Sequence, residues 1–178
     1  MATTPRIYLA GFDVFYPDAH ERALTMKAMC QALGLEGVFP ADVEIDPTGL
    51  TDAEFATAIF TRDVQLIDDC DIVAANLNAF RGVEPDSGTC FEMGYGYARG
   101  KALYAYTAGP STIVERVRAF AGEVRTNAQG IPVDDDGLHI ENFGSPVNLM
   151  LSIPSTVTHG TFEDCLQVIA RDFRTLQS

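Results

Sequence analysis

The segment Asp71–Leu77 limits the fold more than any other part of the chain. After Asp71 it is almost continuously apolar, with Ile72, Val73, Ala74, Ala75 and Leu77 broken only by Asn76. A short run without polar alternation is the pattern of a central parallel strand covered on both faces. Parallel neighbours need crossover connections, so helices must alternate with strands along the chain.

The rest of the sequence supplies that alternation. Arg6–Ala10 reads as a first strand, stopped by Gly11. Ala23, Met26, Met29, Cys30 and Leu33 then recur at helical spacing over Ala19–Leu33, and Gly34 closes the helix. Gly37–Pro40 is a short second strand. Thr51 and Glu54 form a T-x-x-E capping box that opens a helix to about Asp69. Beyond the central strand, a loop over Asn78–Ser87 leads into a helix over Gly88–Arg99, and Ala102–Tyr106 is a fourth strand. Ser111 is expected to cap a helix reaching Phe120. Residues 121–145, which hold Asp134–Asp136, show no period and read as a long excursion. A helical turn over Pro146–Ser152, a strand over Thr156–Thr158 and an amphipathic helix over Thr161–Leu176 complete the pattern. The expected architecture is α/β: a doubly wound, five-stranded parallel sheet in a single domain spanning 1–178.

The net charge of −13 repels phosphate backbones, so nucleic acid is not an expected partner. No apolar run approaches the roughly 18–20 residues that span a bilayer, and the N-terminus carries no signal-peptide pattern. The expected setting is therefore cytoplasmic, away from membranes. Cys30, Cys70, Cys90 and Cys165 show no C-x-x-C spacing and sit in apolar segments, as reduced buried thiols do. His20, His139 and His159 are scattered, so no metal site is expected.

A few carboxylates stand in the wrong surroundings. Glu92 is the only charge between Asp86 and Arg99, in a helix otherwise apolar or small. It is either an N-terminal charge favoured by the helix dipole or a group held there for chemistry. Asp63 continues the i, i+4 line of Phe55, Ile59 and Ile67, either as a working carboxylate or as an edge residue paired with Arg62. Asp86 can serve as an N-cap or contact a ligand. Ligands of such sheets bind beyond the carboxyl ends of the strands, at the switch point. The fold would bring Tyr8, Asp63, Asp86 and Glu92 to one such edge. Several carboxylates in one cleft suit nucleophilic and acid/base work on an acetal-like carbon. Phosphate-binding glycine motifs are absent from the sequence, and no cofactor is called for.

Three ordered blocks resemble the nucleoside 2-deoxyribosyltransferase family. They are Ile7-Tyr8-Leu9-Ala10-Gly11, then Asp71-Ile72-Val73-Ala74 with Asp86-Ser87-Gly88-Thr89-Cys90-Phe91-Glu92-Met93-Gly94-Tyr95, and finally Asn148-Leu149-Met150. The resemblance implies a flavodoxin-like fold in which Glu92 attacks C1′ of a deoxyribose. It further implies that Asp63 bonds and protonates the leaving base, that Tyr8 holds Glu92, and that Asp86 binds the sugar hydroxyls. Asn148 and Met150 would complete the site of a neighbouring copy, implying a homo-oligomer, dimer-based and as large as a hexamer. Expected partners are deoxyribonucleosides and free nucleobases. Two segments depart from the family pattern: Glu123–Phe143 resembles an insertion, and Phe12 stands where many relatives carry a small residue or proline. Phe12 is read either as stacking on the base or as core, and Asp13 beside it as a further substrate contact.

Two other readings remain. A 2′-deoxynucleoside 5′-monophosphate N-glycosidase would need phosphate donors, for which Ser87 and Arg81 are candidates. Against it, the loop after the first strand reads Phe12-Asp13-Val14-Phe15, and Asp13 and Asp86 would repel a dianion. A non-catalytic nucleotide- or flavin-binding module would need neither Glu92 nor Asp63.

Overall fold

The computed structural model describes residues 4–109 and 112–176. The described residues form seven strands and six α-helices, which alternate except at β5 and β6: β1 (Arg6–Ala10), α1 (Ala19–Ala32), β2 (Glu36–Val38), α2 (Asp52–Asp68), β3 (Ile72–Asn76), α3 (Ser87–Ala98), β4 (Ala102–Thr107), α4 (Ile113–Phe120), β5 (Arg125–Thr126), β6 (Pro132–Val133), α5 (Leu149–Ser152), β7 (Thr156–His159) and α6 (Phe162–Leu176). Five strands form one parallel sheet in the order β2-β1-β3-β4-β7. This is the doubly wound, five-stranded parallel α/β architecture that the apolar run and the alternation predict, in the flavodoxin-like form that the family resemblance implies.

Every residue of β3 is buried. Its side chains feed two cores. Ile72 and Ala74 join Ile7, Leu9, Met26, Cys30, Leu166 and Ile169 under α1 and α6. Val73 and Ala75 join Tyr8, Ala10, Ile67, Met93 and Leu103 under α2 and α3. The chain leaves β1 toward β2 and crosses back to β3, so the crevice between the carboxyl ends of β1 and β3 is the switch point. Gly11 lets the two ends approach: a Cβ there would lie 2.7 Å from Asn76 Cβ.

Several boundaries differ from the sequence pattern for local reasons. Phe12–Phe15 forms a 3-10 turn directly after β1. The second strand stops at Val38, because the Phe39 N–H turns to Asp42 Oδ2 at 2.9 Å and Pro40–Asp42 winds into another 3-10 turn. Ser111 lies outside the described residues, and Thr112 caps α4 in a box with Glu115. The excursion over 121–145 holds an antiparallel pair, β5 with β6. Its turns are built from side chains: Asn127 Oδ1 accepts from the Gln129 and Ile131 N–H groups, and Asp134 Oδ1 from those of Asp136 and Leu138. Asn and Asp make such local turns without any hydrophobic period. Among the described residues, no helix is long and apolar enough to cross a membrane.

Candidate active site

The first component is set by how α3 lies on the sheet. Thr89, Met93 and Gly96 are its buried residues, and Glu92 falls on the same face, three residues after Thr89 and four before Gly96. Gly96 allows close approach, since a Cβ there would meet Val73 Cγ2 at 2.8 Å. The helix therefore settles onto β3, and Glu92 reaches across to β1. There the fully buried Tyr8 donates its hydroxyl to Glu92 Oε1 at 2.6 Å. A bond this short is typical of O–H donation to an ionised oxygen.

Burial pushes the Glu92 carboxyl up from 4.5 to about 7. The Tyr8 hydrogen bond opposes that rise, while the charges of Asp63 and Asp86 reinforce it. The Tyr8 phenol is pushed far above its usual range by burial, then by Glu92, so it stays a donor. The result is a carboxylate near half ionisation at neutral pH, dry on most sides and oriented by one donor.

Asp63 reaches the site from α2. Tyr95 of α3 and Arg99 at its C-cap both bond Asp68 of α2, at 3.0 and 2.6 Å, and so fix the two helices side by side. Asp63 Oδ1 accepts from Arg62 Nη2 at 2.8 Å and from Nε at 3.0 Å, while Arg62 Nη1 bonds the Val43 carbonyl. The Asp63 carboxyl is raised by burial, against the pull of Arg62. Asp63 is thus paired with Arg62, as one of its two sequence readings has it, and its charge is felt by Glu92. Asp86 caps α3, with Oδ2 accepting from the Thr89 N–H at 2.9 Å and its hydroxyl at 3.1 Å. No described residue hydrogen-bonds Asp86 Oδ1.

Phe12 stacks on Phe80, from the loop after β3, with ring centroids 5.0 Å apart and planes 15° apart. Phe15 stacks on the same ring at 5.5 Å, and Arg81 covers it at 4.6 Å. The two loops flanking the switch point are joined by this aromatic contact. Asp13 is buried on the other side of the turn, where Oδ2 accepts from Asn76 Nδ2 at 2.8 Å and Oδ1 lies 3.6 Å from Arg22. Asn148 caps α5, its amide donating to Glu141 at 2.7 Å. Met150 is 74% exposed beside Tyr97 and Ile153, on a groove of about 530 Å³ between α3 and α5.

Arg62 is the partner that the sequence offered for Asp63, and it orients that carboxylate. Sequence reasoning passed over two supports. Phe80 carries the aromatic stack. The fully buried Arg116 donates to the Leu77 and Val83 carbonyls and to the Thr107 hydroxyl, fixing the loop that leads to Asp86. Only Arg116 left a sequence signal, a cation two residues from Arg118 on the short helix α4. Among the described residues, no group of three or more His, Cys, Asp or Glu is placed to hold a metal ion.

Comparison with known proteins bears on this geometry. A 2-desoxiribosyltransferase from Leishmania mexicana superposes with a TM-score of 0.73 at 31% identity, covering 94% of this chain and 97% of that one. A conserved protein from Enterococcus faecalis V583 has the same fold, with a TM-score of 0.59 at 16% identity over 96% of this chain and 99% of that one. An uncharacterized protein of Schizosaccharomyces pombe, C191.05c, is 34% identical over 160 residues, which are 82% of this chain and 74% of that protein. The sequence profile described as nucleoside 2-deoxyribosyltransferase matches residues 7–150, a span that includes Tyr8, Asp63, Asp86, Glu92, Asn148 and Met150. The chain belongs to the nucleoside 2-deoxyribosyltransferase family.

Proposed function

We propose that the protein transfers the 2′-deoxyribosyl group between nucleobases by double displacement at Glu92. The observation that carries this reading is the buried Tyr8–Glu92 pair at 2.6 Å, with Glu92 raised to about 7. A carboxylate in that state is a competent nucleophile at neutral pH, and its dry setting strengthens attack on a developing oxocarbenium centre.

In the first half-reaction Glu92 Oε attacks C1′ as the C1′–N bond breaks. The bond electrons leave on the base, which Asp63 hydrogen-bonds and helps to protonate; its raised pKa favours that role. The second base gives its N–H proton back to Asp63 and attacks the deoxyribosyl ester from the face the first one left, and Glu92 departs as carboxylate. Two inversions give net retention. Asp86 Oδ1 accepts from the sugar hydroxyls, the 5′-hydroxyl in particular, and the Phe12–Phe80 stack gives the base an apolar wall. Asp13 serves that wall by anchoring the turn that carries Phe12 to Asn76.

A free nucleoside fits this site better than its 5′-monophosphate. Asp63, Asp86 and Glu92 together oppose a dianion, and Arg81, the cationic candidate donor, is stacked on Phe80. A second copy of the chain is proposed to cover the face formed by α3 and α5, where Tyr97, Met150 and Ile153 are exposed. Asn148 and Met150 would then complete the neighbour's site, and sedimentation of a Met150→Asp variant as the same oligomer would count against this. The free thiols of Cys30, Cys70, Cys90 and Cys165 fit a reducing compartment, and we place the protein in the cytoplasm.

The test of the activity is incubation with deoxyinosine plus adenine, followed by chromatography. Deoxyadenosine formed without phosphate or cofactor supports transfer. Free hypoxanthine and deoxyribose alone would make the enzyme a hydrolase, and base release only from a deoxynucleoside monophosphate would replace the transferase reading.

A further inference from the structure

A second polar depression lies on the opposite face of the sheet from Glu92. It has a volume of about 300 Å³ and opens between α1, the end of β4 and the start of α6. Its apolar floor is made by Met26, Met29 and Phe162, all of which pack in the core under α1 and α6. Glu92 and Tyr8 belong to the other face, where Tyr8 packs with Val73 and Met93. The two regions are separated by the thickness of the sheet.

The polar lining is acidic. Among the described residues that line it, Asp13, Asp18 and Glu21 face a single cation, Arg22, whose Nε is already bonded to Asp18 at 2.9 Å and whose guanidinium lies over the Tyr16 ring at 3.8 Å. Two negative charges are left without a matching cation. Asp13 Oδ2 is taken by Asn76, but Oδ1 has only Arg22 at 3.6 Å, too long for a hydrogen bond.

An independent feature points into the same space. Tyr106 is 6% exposed and lines the depression, yet its hydroxyl makes no hydrogen bond to any described residue. The sealed side-chain atoms without a partner, among the described residues, are Arg116 Nε and Ser152 Oγ. The Tyr106 hydroxyl is therefore not sealed; it opens into the depression. Burial, then the Asp13 charge, pushes its pKa far up, so it stays neutral and can accept an N–H. Buried polar groups are normally satisfied, and one left open toward a cavity calls for a ligand or water.

We propose that this depression is a second binding site for a small organic ammonium compound, its cationic head between Asp13, Glu21 and the Tyr106 hydroxyl and its apolar body on Met26, Met29 and Phe162. The excess carboxylates exclude an anion, and the volume, at the lower end for ligand pockets, suits a compound of roughly ten heavy atoms. The assignment does not rest on the proposed deoxyribosyl transfer.

The test is calorimetric titration of the full-length protein with phenethylammonium, using phenylacetate as the probe of opposite charge. Saturable one-to-one binding of the amine alone is expected. Glu21→Lys and Tyr106→Phe should each weaken it by about tenfold or more, while Glu92→Gln leaves it unchanged. Circular dichroism of the two pocket variants checks that they fold. No saturation at about 10 mM (a binding free energy under roughly 3 kcal/mol) would overturn the assignment. So would equal binding of phenylacetate, or indifference of both pocket variants. Loss of binding in Glu92→Gln would place the amine among Glu92, Asp63 and Asp86 instead, and the second site would fall.

Discussion

Removing the Tyr8 hydroxyl isolates the contact that makes Glu92 usable near neutral pH. In Tyr8→Phe the ring still fills the core, but Glu92 loses the one hydrogen bond from a described side chain that opposes burial and the charges of Asp63 and Asp86. A hydrogen bond to a charged group is worth about 1.5–3 kcal/mol, and about 1.4 kcal/mol moves a pKa by one. Glu92 should therefore rise from about 7 to roughly 8–9. At pH 7 the ionised fraction falls from about a half to between about one tenth and one hundredth, so exchange slows by about fivefold to fiftyfold. The sign is specific, because the nucleophile must be ionised and the lost rate must return as pH rises. A kcat/KM profile for deoxyinosine–adenine exchange should show its acid limb near pH 7 in the parent and about one to two pH units higher in the variant. An unchanged limb, or a loss of rate equal at every pH, would refute the argument.

Other expectations follow from the same site and its scaffold. Between pH 4.5 and about 7 the folded chain keeps a proton on Glu92 that the unfolded chain has released, so stability falls as pH rises through that window. Glu92→Gln removes this fall; its stability relative to the parent should improve by up to about 3 kcal/mol from the low to the high end, measured by urea unfolding. Asp63→Asn should slow transfer by about a hundredfold or more while leaving the fold intact, and a base with a better leaving group should lose less. Gly96→Ala drives a methyl into Val73 and Leu103 and should destabilise by about 1–3 kcal/mol in thermal melts. Gly94→Ala, which meets nothing within 4 Å, should fold at least as stably.

The strands and helices were legible because burial on both faces leaves a sequence pattern. Val73 and Ile72 point to opposite cores, so β3 reads as an unbroken apolar run. The Thr51–Glu54 box is visible because its two hydrogen bonds are local, at 2.8 and 3.3 Å. Glu92 stood out because a lone carboxylate in an apolar helix must be answered from elsewhere, and Tyr8 answers it across 84 residues. Residues 121–145 hid their hairpin because Asn127 and Asp134 organise it through side-chain turns that need no periodicity. Asp13 shows a different limit. Its type and place suited substrate contact, but its Asn76 partner depends on the close approach of β1 and β3 at Gly11. Phe80 was unreadable for the same reason: its role depends on Phe12 standing opposite it in the fold, whereas Arg62 could be paired with its sequence neighbour Asp63.

The central claim, a covalent deoxyribosyl ester on Glu92, is tested most directly by rapid acid quench of the enzyme with deoxyinosine in the absence of an acceptor base. Intact-mass measurement and peptide mapping should find one deoxyribosyl group on the peptide that contains Glu92, and adding adenine should discharge it as deoxyadenosine. Base exchange that proceeds with no adduct, or with the adduct on another residue, would contradict the account.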